Sequence, residues 1–185
     1  MNPFDNWDEV QPANFNNVKL PADGYICKIL DIELRTSKNG NEMLFVHLDI
    51  AVGNFKNYFT NKFENRKQYN DNPKFPCIFR ILTRGKNLPR FKKFISNIEN
   101  SNSNFNFKAN HFNENSLKNK FVGFIFREEE FSFNDKHGFT IKPFSSASIE
   151  DIKNKNFSIP EPKLLKKEVY KSLGDDSLDE VDIPF

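Results

Sequence analysis

Eleven basic side chains fall between Lys56 and Lys93: Lys56, Lys62, Arg66, Lys67, Lys74, Arg80, Arg84, Lys86, Arg90, Lys92 and Lys93. They face only Glu64 and Asp71, so this stretch carries a net charge of +9. Aromatic residues stand among them. Cations that track phosphates and rings that stack on unpaired bases are what a single-stranded nucleic acid requires, and stacking is worth about 1–3 kcal/mol per base whatever the sequence. The candidate contacts are Phe45 and His47 upstream, then Lys56, Tyr58, Lys62, Arg66, Lys67 and Tyr69, then Arg80, Arg84, Lys86 and Arg90. Lys92 and Lys93 read as a solvated helix face.

A second constellation has the opposite sign. Residues 172–185 hold Asp175, Asp176, Asp179, Glu180 and Asp182 and no cation, a net of −5. Of 27 basic and 25 acidic residues in all, 27 and 20 then belong to residues 1–171, which carry +7. Charge divided in this way points to a polyanionic ligand for the body. The tail ends on Ile183, Pro184 and Phe185, apolar residues that a merely solubilising tail does not need. Phe185 suits an apolar pocket on a partner, with its α-carboxylate and Asp182 meeting basic groups, while Pro184 limits the freedom lost on binding.

Elements must position these groups. Residues 1–20 read as an irregular segment, and Pro21–Gly24 as a turn. Tyr25–Leu34 is β-rich, and Ser37–Asn41 supplies a hairpin turn. In Met43–Val52, Leu44, Val46, Leu48, Ile50 and Val52 share one face of a strand, and Met43, Phe45, His47, Asp49 and Ala51 the other. Phe55–Phe63 reads as a third, aromatic-rich strand that aligns Lys56, Tyr58 and Lys62. Glu64–Pro76 is loop-like. Leu88, Phe91, Ile95 and Ile98 recur at spacings of three and four, which predicts a helix over 88–99 with Pro89 in its first turn. Strands follow at Lys120–Phe131 and Phe139–Phe144, and Pro160 and Pro162 break any later element.

Three strands, a helix and two strands predict a mainly β protein, a five-stranded OB-fold barrel with one helix between the third and fourth strands. The domain spans 21–146, an extension and linker 147–171, and a flexible acidic protein-interaction tail 172–185.

Other chemistries find little support. No apolar run reaches the roughly 18 residues of a membrane span, so no membrane partner is expected. The acidic start, Met1–Glu9, is no secretory signal. Two cysteines, Cys27 and Cys77, suggest a reduced, cytoplasmic setting. His47, His111 and His137 pair with neither cysteine at zinc spacing, and Glu128–Glu130 read as a strand end and its turn. Neither a phosphate-binding glycine loop nor a nucleophile elbow is present. An enzyme, a metal or another cofactor is therefore not expected. The 22 Phe stand in a composition rich also in Asn, Lys and Ile, the residues that AT-rich codons encode, so aromatics are weighed by position and not by number.

The segments Leu20-Pro-Ala-Asp-Gly-Tyr25, Asp49-Ile-Ala-Val-Gly-Asn-Phe-Lys-Asn-Tyr-Phe59 and Phe75-Pro-Cys-Ile-Phe-Arg80 resemble a family of phage and mobile-element proteins. So do Phe91-Lys-Lys-Phe-Ile95, Asn115-Ser-Leu-Lys-Asn-Lys120 and Gly123-Phe-Ile-Phe-Arg-Glu-Glu-Glu-Phe131. Some members of that family bind single-stranded DNA. Asp179-Glu-Val-Asp-Ile-Pro-Phe185 resembles the acidic tail of bacterial single-stranded DNA-binding proteins. That resemblance implies that Asp179, Glu180, Asp182, Ile183, Pro184 and Phe185 recruit replication, recombination or repair enzymes. The expectation is a sequence-tolerant protein that protects single-stranded DNA and brings partner enzymes to it. The alternatives are an OB-like adaptor without DNA binding of its own and a small nuclease. A homo-oligomer is compatible with each.

Overall fold

The computed structural model describes residues 19–36, 40–133 and 136–165. The acidic tail with all six of its partner-binding candidates, and the N-terminal segment up to residue 18, lie outside the described residues.

Five strands form one antiparallel sheet in the order β3-β2-β1-β4-β5. They are β1 (Gly24–Thr36), β2 (Glu42–Ile50), β3 (Ile78–Leu82), β4 (Phe121–Phe133) and β5 (Lys136–Ala147). The helices are α1 (Tyr58–Lys67), α2 (Leu88–Ser101) and α3 (Ile149–Lys153). β5 comes back against β3, so the sheet curls into a barrel-like body. None of the helices among the described residues is long and apolar enough to cross a membrane.

Alternation in β2 decides what fills the body. Leu44, Val46, Leu48 and Ile50 are buried together with Ile29 and Ile32 of β1, Phe79 and Ile81 of β3, and Val122, Phe124 and Phe126 of β4. The strand stops at Ile50, and Val52 beyond it is exposed. α2 forms where its apolar spacing predicts and runs on to Ser101, with Pro89 at its start and Phe94, Ile95 and Ile98 buried. It joins β3 to β4 and packs on both.

The third strand lies elsewhere than Phe55–Phe63. That segment holds helix α1, and β3 is the short run Ile-Phe-Arg-Ile-Leu, paired with β2 from Met43↔Leu82 to His47↔Ile78. The reason sits on the neighbouring strand. Asp49, buried at the end of β2, accepts from the backbone N–H of Phe59 and of Ile50 through Oδ1 and from that of Thr60 through Oδ2. The first backbone donors of a helix have no partner within it, and Asn57, the residue before α1, makes no side-chain cap. A carboxylate from the sheet fills that role and turns an aromatic, β-prone stretch into a helix.

β4 continues through Glu128, Glu129 and Glu130 to Phe133, so these residues lie inside the strand and mark no turn. After β5 the chain keeps packing on the sheet. Ser148 and Asp151 close a capping box on α3. A Cβ at Gly123 would lie 2.5 Å from Ile152 Cγ1, and one at Gly24 would lie 2.4 Å from Phe157 Cζ. Both glycines therefore let the C-terminal extension seat directly on β1 and β4. Further on, Lys163 donates its N–H to Glu128 O at 2.9 Å, and its carbonyl accepts from Glu130 N at 2.8 Å. Residues 161–165 thus form a strap that runs parallel to β4.

Candidate nucleic-acid interface

An open cleft of about 1140 Å³ lies between the β3 side of the sheet and β5, with α1 forming part of its wall. From α1 come Tyr58, Lys62 and Arg66; from β3 and its approach, Lys74, Phe75, Ile78 and Arg80; from the start of α2, Arg90. The facing wall is Phe139–Phe144 of β5, with Arg127 and Glu129 of β4 and Lys163 of the strap, and Lys19 adds a further cation. Among the described residues, nine cations line the cleft against one carboxylate, Glu129. That carboxylate already belongs to Arg127, whose Nη2 stands 2.8 Å away.

Partial desolvation of the Lys62 ammonium, then the charges of Arg66 and Lys142, lower its pKa from the ordinary lysine value. An anion placed in the cleft relieves that repulsion. The apolar part of the wall is also ordered. Lys62 Nζ lies 5.7 Å from the centre of the Tyr58 ring, Arg127 covers Phe144 at 4.5 Å, and Arg90 lies over Phe79 at 5.7 Å. Arg90 also donates to the Phe144 carbonyl at 3.1 Å, tying the start of α2 to β5.

Of the twelve residues read from the sequence, the cleft gathers Tyr58, Lys62, Arg66, Arg80 and Arg90. Phe45 sits beside it on β2, its ring under the guanidinium groups of Arg35 at 4.5 Å and Arg80 at 5.2 Å. His47 stacks on Phe75 with its side chain only 18% exposed. Lys56 is exposed in the turn before α1, and Tyr69 stands in solvent beyond the helix. Lys67 turns to Glu64 at 2.8 Å and to the Phe63 ring at 4.6 Å. Arg84 pairs with Glu42 at 3.2 Å, and Lys86 is exposed in the short turn that leads into α2. These seven do not line the cleft.

Lys142, Arg127, Lys163, Phe139 and Phe144 also line the cleft, although they stand outside the dense basic stretch Lys56–Lys93. Their charges are diluted along the chain by Glu128–Glu130 and become one surface only when β5 pairs with β4 and closes on β3. The repeat of Phe139, Lys142 and Phe144 within one short strand was the available signal.

Chemically, the cleft can hold a flexible polyanion that carries flat apolar groups. Among the described residues, one group of side chains could hold a metal ion, Asp31, Glu33 and His47, and it lies outside the cleft lining. No protein-family model matches the sequence, and no curated protein matches it either.

Proposed function

We propose that this chain is a sequence-tolerant single-stranded DNA-binding protein built on an OB-fold, acting in replication or recombination of a phage or mobile element. The strand order β3-β2-β1-β4-β5, with α2 between β3 and β4 and β5 against β3, supports the OB-fold reading. The observation that carries the function is the cleft, with nine cations to one already paired carboxylate and with aromatic rings in both walls. Phosphates neutralise the cations and release counterions, while bases lie against the rings. The terminal Ile183-Pro184-Phe185, preceded by five acidic residues, serves in this reading to recruit partner enzymes in the cytoplasm.

Titration of a labelled oligo-dT across a salt series tests the proposal. Affinity should fall linearly in log–log form as salt rises, and a duplex of equal length should bind more weakly. A salt-insensitive response, or no binding at all, would leave the adaptor role in its place, and cleavage of the oligonucleotide would point to a nuclease.

A further inference from the structure

We propose that Asp31, Glu33 and His47 form a binding site for a divalent transition cation of the zinc type, built across β1 and β2. One ligand atom from each residue lies within 4.8 Å of the others. His47 Nε2 and Glu33 Oε1 stand 3.5 Å apart. That is long for an N–H···O hydrogen bond, and it fits the roughly 3.3–3.6 Å edge of a tetrahedron whose metal–ligand bonds are about 2.0–2.2 Å. One imidazole and two carboxylates leave a fourth position for water or another ligand.

A bulge assembles the group. The β1–β2 register slips between Ile29, opposite Leu48, and Asp31, opposite His47, so Leu30 is the extra residue. In an unbroken ladder Leu30 would face His47, and Asp31 would stand opposite Val46, whose side chain is in the core. The inserted residue therefore turns both carboxylates to the side where His47 projects. Sequence spacing cannot show this, because the members come from two strands joined only by pairing.

Neighbouring groups orient two of the ligands. Phe75 stacks on the imidazole with ring centres 5.4 Å apart and planes 5° from parallel. Arg35 donates to Glu33 through Oε2 and leaves Oε1 directed at His47. Outer partners of this kind fix ligand geometry in metal sites. Lys118 Nζ holds Asp31 Oδ1 at 2.6 Å. The Lys118–Asp31 pair is partly solvated, so a divalent cation can displace it at small cost. Because Phe75 also lines the cleft, a bound metal would hold one of its aromatic walls in place.

The test uses the full chain, stripped with chelator and free of any histidine tag, and titrates Zn²⁺ against a chromophoric competitor. One equivalent should bind, and Co²⁺ in its place should give the intense visible bands of tetrahedral coordination. Glu33→Gln and His47→Gln should each weaken binding by about tenfold or more. Lys118→Met should tighten it a few-fold by freeing Asp31, and His111→Gln should leave it unchanged. Wild-type affinity in Glu33→Gln, or a loss of affinity in Lys118→Met, would overturn the site. Glu33 is partly exposed, so Glu33→Gln still decides the matter if His47→Gln does not fold. None of these readouts depends on DNA.

Discussion

Asp49 caps a helix to which it does not belong, its Oδ1 accepting the Phe59 N–H at 2.9 Å. Two further backbone donors, Ile50 and Thr60, share the same carboxylate. Asp49→Ala would strand these donors in a buried place. The expected loss is about 2–4 kcal/mol of stability, read from the urea midpoint. α1 carries Tyr58, Lys62 and Arg66 into the cleft, so DNA affinity should fall with it. A variant as stable as the wild type would show that water replaces the carboxylate at no cost.

Cations inside and outside the cleft should behave differently. Lys62→Ala or Lys142→Ala should reduce the salt slope of oligo-dT binding by about 0.7 for one lost phosphate contact. Lys67→Ala removes a charge that faces Glu64 and Phe63, and it should leave the slope almost unchanged. Equal effects at Lys142 and Lys67 would mean that overall charge matters and the cleft does not.

Rings should act without ions. Phe139 is 39% exposed at the cleft wall, and Tyr58 begins α1 beside Lys62. Replacing either with Ala should weaken binding by about 1–3 kcal/mol if a base stacks there, with the salt slope preserved. A changed slope with unchanged affinity would count against stacking.

The Tyr25 phenol is pushed well above its ordinary value of 10.0, first by burial and then by the charge of Asp23, with smaller contributions from Cys27 and Tyr58. It donates to the Pro21 carbonyl at 3.0 Å. The folded form thus holds this proton longer than the unfolded one. Its contribution to stability is complete below pH 10.0 and is lost as pH rises from there towards the folded value. Tyrosinate absorbance should show Tyr25 ionising only together with alkaline unfolding, and Tyr25→Phe should move that unfolding to higher pH. Ionisation of Tyr25 at the ordinary value with the fold intact would refute this.

Removing residues 172–185 takes five negative charges from a chain whose body is +7. Oligo-dT binding should tighten modestly at low salt, and the gain should fade once the Debye length falls below about 8–10 Å. Phe185→Ala keeps every charge, so it should leave DNA affinity alone and remove most enzyme recruitment in a pull-down from host extract. Identical partners for wild type and variant would end the recruiting role.

Strands β1, β4 and β5 were legible as β-rich runs between turn signals, and strand β2 and helix α2 because burial along them follows a local period. Leu44, Val46 and Leu48 alternate, and Phe94, Ile95 and Ile98 recur at helical spacing. α1 was not legible, since its decisive interaction comes from Asp49 on another strand and its aromatic composition favours a β reading. Loss of that segment hid β3, a five-residue strand soon after Pro76. The same logic divides the cleft. Lys62, Arg66, Arg80 and Arg90 stand in a dense local run of charge, whereas Lys142 and Phe139 join them only through the closure of β5 on β3.

The strap along β4 has a consequence for how the protein behaves among its own copies. β1 pairs with β4 only from Phe121 to Ile125, so further along the strand the Glu128 carbonyl and the Glu130 N–H on that edge are taken by Lys163. A strand edge with open donors and acceptors is a template for any other extended chain. The strap occupies that template, and Pro160 and Pro162, which have no N–H to donate, bring an irregular chain to it. Residues 161–165 thus close the edge along which the longest hairpins of two copies could otherwise pair.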